Sequence, residues 1–187
     1  MKKFASLVWE FVKIAVVSLA IILPIRYFLA EPFYVKGASM EPNFEDHQYL
    51  IVDRLDYRLT TPARGEVVVF RYPKDPQEYY IKRIIGLPGE TVEVKNDKVY
   101  IYNQQHPEGW ELPEEYLTNS VLTDPTNPLY TRVELQPDEY FVLGDNRGAS
   151  QDSRFFGPVN KTFFIGRVIF RGWPFDKAGV LPSVQYQ

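Results

Sequence analysis

The chain has 187 residues, of which 45% are hydrophobic and 24% charged, which is enough for one packed domain plus a membrane anchor. A net charge of -3 argues against nucleic acid as a partner and against general attraction to anionic lipid. The absence of cysteine excludes disulfides and thiol catalysis. The only histidines, His47 and His106, have no other histidine or cysteine ligand nearby, so neither a metal nor another cofactor is expected.

The N-terminal segment predicts a single transmembrane anchor. Residues 11–30 are predominantly apolar and would form a helix of roughly 30 Å, the thickness of a bilayer core. Lys13 and Arg26 lie near its two ends, where long basic side chains can reach the interface. A helix buried in a soluble protein is less favoured, because the later sequence offers no partner helices.

The flanks of this segment predict its orientation and its retention. Lysines before and in the first turns of the helix predict that residues 1–10 are cytoplasmic and residues 31–187 form an extracytoplasmic domain. A cleaved signal peptide is the alternative. It would need small residues before a cut after Ala30, and Phe28 is too bulky for that pattern.

The body of the chain is predicted to be mainly β. The Asn96-Asp97 pair between two alternating runs predicts a hairpin. Residues 103–130 are rich in Pro, Glu, Asn and Tyr, show little periodicity, and are predicted to be a variable excursion. The β-branched and aromatic runs that predict strands, separated by turn residues, are 48–55, 65–72, 79–86, 91–94, 98–102, 130–135, 139–145 and 164–173.

Two segments concentrate charged and reactive side chains. In YYIKRIIGLPGE (79–90), Lys82 lies in an apolar strand and shares a face with Tyr80 and Ile84. The alternative without a catalytic role is that Lys82 lies on an edge strand, where its charge prevents aggregation with other chains. In GDNRGASQDSRFFG (144–157), two aspartates, two arginines and two serines follow an apolar strand. Such a loop is either polar surface or a place for fixed ion pairs that hold a site together.

The serine of VKGASMEPNF (35–44) is a candidate nucleophile. A serine hydroxyl needs a base, and an unprotonated lysine can serve as one. Burial among apolar side chains can lower the pKa of a lysine by several units from its ordinary value of about 10.4. A nearby hydroxyl, from Ser150 or Ser153, could hold the lysine without adding charge. Taken from the residues alone, Ser39 with Lys82 is one of many possible pairings.

Together these segments resemble the bacterial type I signal peptidases, which are membrane-bound Ser/Lys endopeptidases. The matching motifs are, in order, GASMEP, RGEVVVFRYP (64–73), YIKRIIGLPGE and GDNRGASQDSRFFG, and the resemblance covers nearly the whole chain. It implies a β domain of antiparallel sheets behind one transmembrane helix. It also implies a serine endopeptidase that removes signal peptides from exported precursors, cleaving after small residues in an A-x-A pattern through an acyl-enzyme.

The resemblance implies a role for each matching residue. Ser39 matches the nucleophile, Lys82 its general base, and Ser150 the residue that orients the lysine. Asp145 and Arg83 match a supporting ion pair, and Asp152 and Arg154 match charged residues that stabilise the site. The positions that line or flank shallow apolar substrate pockets are Phe33, Val35, Met40, Phe44, Tyr80 and Ile81.

The resemblance identifies only one of the two hydrogen-bond donors expected in the oxyanion hole. The backbone N–H of Ser39 would supply one donor. Some family members carry a serine two positions before the nucleophile as a second donor, and here that position is Gly37. The second donor is therefore left open between another backbone group and a water.

The expected partners are precursor proteins that bear signal peptides, together with membrane lipid, and the sequence does not predict an oligomeric state. The expected location is the cytoplasmic membrane, with a single pass. Two other functions compete. A membrane-anchored β domain without chemistry would leave Ser39, Lys82 and Ser150 unexplained as a set. A self-cleaving Ser/Lys regulator shares the dyad, but those proteins are soluble and carry a DNA-binding segment.

Overall fold

A computed structural model describes residues 2–24, 30–55, 57, 60–117, 123, 128–181, 184 and 186. Helix α1 (Lys2–Pro24) contains no glycine or proline before its last residue, in keeping with an uninterrupted helix. It begins earlier than the predicted span of 11–30, of which residues 25–29 lie outside the described residues. Within the part that is described, no helix combines the length and the apolar character needed to cross a membrane.

Two antiparallel sheets form the body of the protein, as the predicted mainly β class requires. The first has the strand order β1-β2-β11-β3-β4-β9-β10, with β12 beside β11, and the second has the order β7-β6-β5-β8. The strands are β1 (Ala30–Tyr34), β2 (Tyr49–Asp53), β3 (Val67–Tyr72), β4 (Asp75–Gly86), β5 (Thr91–Lys95), β6 (Lys98–Tyr102), β7 (Trp110–Glu111), β8 (Arg132–Glu134), β9 (Glu139–Leu143), β10 (Val159–Asn160), β11 (Phe164–Trp173) and β12 (Gly179–Val180).

The hairpin predicted around Asn96-Asp97 is confirmed as β5 and β6. Both turn residues have positive φ, 50° for Asn96 and 61° for Asp97, as a two-residue hairpin turn of the common type requires. The alternating side chains of the two strands then place Val92, Val94 and Ile101 in one apolar cluster.

Strand β4 lies inside the first sheet, between β3 and β9. Lys82 pairs with Val68 of β3, and the next residue, Arg83, pairs with Val67 of β3 and Leu143 of β9. The edge-strand explanation for Lys82 is therefore wrong, because both sides of its strand are hydrogen-bonded to neighbours. The lysine is buried within the sheet, with 3% of its surface exposed.

The predicted excursion at 103–130 is partly integrated into the second sheet. Strand β7 pairs with β6, and Leu112 is buried in the apolar cluster that β5 and β6 share with β9. Residues 118–122 and 124–127 of this stretch lie outside the described residues. The part before them passes beside the loop that follows β9, which brings it next to the charged residues described below.

Candidate active site

Ser39 and Lys82, which are 43 positions apart in sequence, meet in the structure. The Nζ atom of Lys82 donates one hydrogen bond to Ser39 Oγ and one to the carbonyl oxygen of Ile81, each at 2.8 Å. Burial lowers the pKa of the Lys82 ammonium to about 8, although the carboxylates of Asp152 and Asp145 act in the opposite direction. A fraction of the amine is therefore unprotonated near neutral pH, which is what a general base requires.

Ser39, the candidate nucleophile, lies on a turn after β1 whose shape depends on glycine. Gly37 has φ of +92°, a region that favours glycine, and its N–H donates to Asp46 Oδ1 at 2.9 Å. A second loop, residues 144–147, holds this turn from the other side and is called the tether loop below. In it, the N–H of Asn146 donates to the Ser39 carbonyl oxygen at 3.1 Å, and Asn146 Nδ2 donates to the Ala38 carbonyl oxygen at 3.0 Å.

Ser150 lies against the same turn without a hydrogen bond to Lys82. Its hydroxyl is buried and has no hydrogen-bond partner among the described residues. A Cβ added at Gly144 would lie 2.1 Å from Ser150 Oγ and 2.5 Å from the Ser39 carbonyl oxygen, so both residues pack on that glycine. Ser153, the alternative, accepts a hydrogen bond from the Val142 N–H at 2.9 Å. The orienting role of Ser150 stays a prediction.

The predicted pair of Asp145 and Arg83 forms a two-pronged ion pair. Arg83 Nε donates to Asp145 Oδ1 at 2.8 Å, and Nη2 donates to Oδ2 at 2.6 Å. The side chains expose 6% and 1% of their surface, so water does not weaken the contact. Arg83 Nη1 also donates to the Gly65 carbonyl oxygen at 2.8 Å, which ties β4 to the turn before β3.

Asp152 and Arg154 also pair, just beyond the tether loop. Arg154 Nε and Nη2 donate to the two carboxylate oxygens at 2.9 and 2.8 Å. Asp152 caps the short helix α2 (Ser153–Phe156) by accepting from the Arg154 N–H, and it also accepts from the Gly144 N–H at 3.1 Å. This carboxylate therefore fixes both ends of the segment that contains Ser150.

A cavity of about 480 Å³ opens beside the Ser39–Lys82 pair. The predicted substrate positions that line it are Phe33, Val35, Tyr80 and Ile81. On one side it is bridged by a hydrogen bond of 3.0 Å from the hydroxyl of Tyr80 to Gln151 Oε1.

Two predicted substrate positions lie elsewhere. Met40 has no exposed surface and packs in the apolar cluster formed with Leu50 and Val52, because the turn directs its side chain inward. Phe44 belongs to the same cluster and lines a second cavity, of about 530 Å³, on the side of Arg171. Neither side chain lines the cavity beside Ser39.

Sequence reasoning missed three residues that complete this centre. Arg147 is buried and pairs with Glu114 of the excursion, and Asn43 Nδ2 donates to Asp145 Oδ2 at 2.9 Å. The sequence offered one indication that Arg147 is important. It lies in a loop rich in charged residues (144–157), and both aspartates of that loop pair with other arginines, Arg83 and Arg154. Across the described part of the chain, no group of three or more acidic, histidine or cysteine side chains could hold a metal ion.

Comparisons with known proteins place these features in context. A sequence model of the family described as "Signal peptidase, peptidase S26" matches residues 8–173. The probable signal peptidase I-2 of Synechocystis sp. is 37% identical over 177 residues, which cover 92% of this chain and 76% of that protein. Signal peptidase IB of Staphylococcus aureus is 34% identical over 173 residues, 86% of this chain and 87% of that protein. A solved signal peptidase I from Enterococcus faecalis V583 is 36% identical, covers 58% of this chain and 97% of its own, and gives a TM-score of 0.46.

Proposed function

Because the chain belongs to the signal peptidase family, peptidase S26, we propose that Ser39 and Lys82 are the catalytic dyad of this serine endopeptidase. The family removes signal peptides from exported precursor proteins, which sets aside both a non-catalytic β domain and a soluble self-cleaving regulator. The observation that carries the dyad is the 2.8 Å contact between Ser39 Oγ and the Nζ atom of Lys82, a lysine with only 3% of its surface exposed.

The reaction follows from this geometry. Unprotonated Lys82 takes the proton of the Ser39 hydroxyl while Oγ attacks the scissile carbonyl carbon, and the Ser39 backbone N–H donates to the developing oxyanion. The lysine ammonium then gives its proton to the departing amine, leaving an ester on Ser39. Lys82 next activates a water that hydrolyses this ester. Asp145, Arg83, Asp152 and Arg154 support the loop around the dyad in this scheme, and Ser150 orients the lysine.

The cavity beside the dyad supports cleavage after small residues. Its walls include the side chains of Phe33, Val35, Tyr80 and Ile81, which lie beside Ser39. We expect these walls to accept alanine side chains and to exclude larger ones, as the A-x-A pattern requires. A precursor with leucine in place of the last alanine before the cut is expected to resist cleavage, and equal cleavage of both precursors would contradict this specificity.

Attachment to the membrane is supported by two apolar surfaces. The large apolar side chains of α1 are exposed along its length. A second surface is the exposed aromatic set of Tyr34, Tyr49, Trp173 and Phe175, whose neighbouring rings are 5.1 Å apart in the first pair and 4.7 Å apart in the second. Tyrosine and tryptophan favour the membrane interface, so the proposed anchor (residues 11–30) and this face hold the site where a precursor's apolar helix is held.

The topology can be tested directly because the natural chain has no cysteine. We expect a membrane-impermeant maleimide to label Glu108→Cys in intact cells, since residues 31–187 are proposed to be extracytoplasmic and Glu108 is exposed. Lys3→Cys, in the proposed cytoplasmic residues 1–10, should react only after the membrane is opened. The cysteine-free chain is the control, and the reverse labelling pattern would refute the orientation.

The dyad is tested with the purified full chain and a membrane-held precursor. Ser39→Ala and Lys82→Met should each abolish cleavage while the protein remains folded, as judged by circular dichroism. Lys74→Met removes an exposed lysine and serves as the matched control. Cleavage by the Lys82→Met variant at the rate of that control would eliminate Lys82 as the base.

A further inference from the structure

Arg147 of the tether loop is a buried cation whose counter-charge comes from the excursion. Its side chain has no exposed surface, and that of Glu114 exposes 11%. Arg147 Nη1 donates to Glu114 Oε2 at 2.9 Å, while Nη2 donates to Oε1. A guanidinium in such surroundings needs an anionic partner, because an unpaired buried charge is strongly unfavourable.

Tyr116, two positions after Glu114, contacts the second buried arginine of the site. The guanidinium carbon of Arg83 lies 4.1 Å from the centre of the Tyr116 ring, within the range of a cation–π contact. The Tyr116 hydroxyl donates to Glu114 Oε1 at 2.6 Å, and its carbonyl oxygen accepts from Asn43 Nδ2 at 2.9 Å. The same amide group of Asn43 donates to Asp145, so Tyr116 contacts Arg83 directly and is linked to Asp145 through Asn43.

The tether loop connects Arg147 to the backbone of the Ser39 turn through a series of hydrogen bonds. Within it, Arg147 Nε donates to the Gly144 carbonyl oxygen at 3.0 Å, and the Arg147 N–H donates to the Asp145 carbonyl oxygen at 3.1 Å. Asn146 lies between Asp145 and Arg147 in the chain, and it makes the two hydrogen bonds to the backbone of the Ser39 turn. A movement of Arg147 toward water would therefore displace the groups that hold Ser39 in place.

We propose that Glu114 and Tyr116 are positioning residues for the reaction: they hold the tether loop, and through it the Ser39 turn, in the geometry that the Ser39/Lys82 dyad needs. This inference rests on the proposed dyad. It assigns the excursion, which has no role in the sequence motifs, a specific contribution to the rate of cleavage. The competing explanation is that the pair only stabilises the fold.

The test compares two adjacent glutamates in the full-length protein. Glu114→Gln removes the counter-charge of Arg147 with little change in shape, whereas Glu115→Gln alters an exposed neighbour. With cleavage measured well below the unfolding temperature of each variant, Glu114→Gln should lower kcat roughly ten- to hundredfold and change KM less than about twofold. Glu115→Gln should match the wild type. A wild-type kcat for Glu114→Gln would overturn the proposal.

Further variants separate positioning from stability. Tyr116→Phe keeps the ring over Arg83 and removes the hydroxyl that bonds to Glu114, and it should lower kcat in the same direction by a smaller factor. If Glu114→Gln does not fold, the double variant Glu114→Gln/Arg147→Met removes both charges and should recover folding, because a buried pair can be replaced without an unpaired charge. A low kcat in the folded double variant supports positioning, and a wild-type kcat refutes it.

The same series tells the two proposals apart. Cleavage by Ser39→Ala would refute the dyad, whatever Glu114→Gln does. An active wild type, an inactive Ser39→Ala and an unaffected Glu114→Gln would refute only the positioning role.

Discussion

Replacing the buried Lys82 with methionine is expected to raise the free energy of unfolding at neutral pH. The lysine is 3% exposed, and burial lowers the pKa of its ammonium to about 8 in the folded protein. In the unfolded chain the same group has its ordinary pKa of about 10.4. Methionine is similar in length, flexible and uncharged, so it can occupy the same space without this electrostatic cost.

The size of the effect follows from the two pKa values. A difference of about 2.4 pH units corresponds to about 3 kcal/mol. Between about pH 8 and about pH 10.4 the unfolded chain binds more protons at this site than the folded protein, so the stability of the wild type rises with pH in this window. Below about pH 8 Lys82 is protonated in both the folded and the unfolded state, and the folded state bears the full free-energy cost of burying the ammonium.

The assay is urea unfolding of the full-length wild type and Lys82→Met in one detergent, at about pH 7 and about pH 10.5. The advantage of the variant should be about 3 kcal/mol larger at the lower pH. The two hydrogen bonds lost with the lysine, each worth roughly 1 kcal/mol, shift both values equally and cancel. Lys98→Met is the control, because a hydrogen bond to Glu111 raises the pKa of that lysine and gives the opposite trend.

A stability difference that does not change with pH would refute this reasoning. It would mean that the Lys82 ammonium keeps its ordinary pKa in the folded protein despite its burial. The amine would then be almost wholly protonated at neutral pH, and the physical basis for its role as the base would be lost.

Three other results are expected. The value of kcat/KM should rise with pH and level off above about pH 8, because Lys82, the proposed base, can accept a proton only when it is unprotonated; a rise centred near pH 10 would contradict this. Gly144→Ala should lower kcat at least roughly tenfold, since the added Cβ would lie 2.1 Å from a buried serine hydroxyl. Gly148→Ala, which meets nothing within 4 Å, is the matched control, and equal kcat values for the two variants would count against the close packing. Asp145→Asn should destabilise the protein by about 3 kcal/mol in urea unfolding, because it leaves Arg83 buried without a carboxylate; a loss below about 1 kcal/mol would show that the pair is dispensable.

Local signals were sufficient to predict much of the β architecture. The Asn96-Asp97 turn was predictable because few residue pairs tolerate positive φ at both positions. Alternation along β5 and β6 then identified the buried face. The burial of Lys82 was harder, because an isolated strand with one lysine looks the same at the edge and in the interior of a sheet. Strand β3 directly precedes β4 in the chain, but the strand on the other side, β9 (Glu139–Leu143), comes from a distant part of the sequence, and it is β9 that makes β4 an interior strand.

The charged contacts around the dyad were only partly predictable. Family motifs suggested the pair Arg83–Asp145 and identified Asp152 and Arg154 as charged residues that support the site, but they did not predict that the last two pair with each other. The partner of Arg147 is 33 positions away, in a stretch without periodicity that could be judged only as variable. Met40 illustrates the same limit at smaller scale. It follows Ser39 directly, yet the turn directs it into the core, and no local pattern distinguishes a pocket wall from the layer beneath it.

Lys82, the proposed base, is adjacent to Arg83 on β4, so the rate of cleavage should depend on whether β4 has paired in the correct register. Successive strand residues point to opposite faces, so a one-residue slip against β3 would turn a guanidinium toward Ser39 in place of the amine. A guanidinium stays protonated at any pH that the protein tolerates and cannot act as a base. A mispaired molecule would keep the strand content that circular dichroism detects, yet have no activity. The specific activity of a refolded sample should therefore be proportional to the fraction of molecules in which β4 has paired with β3 in the native register.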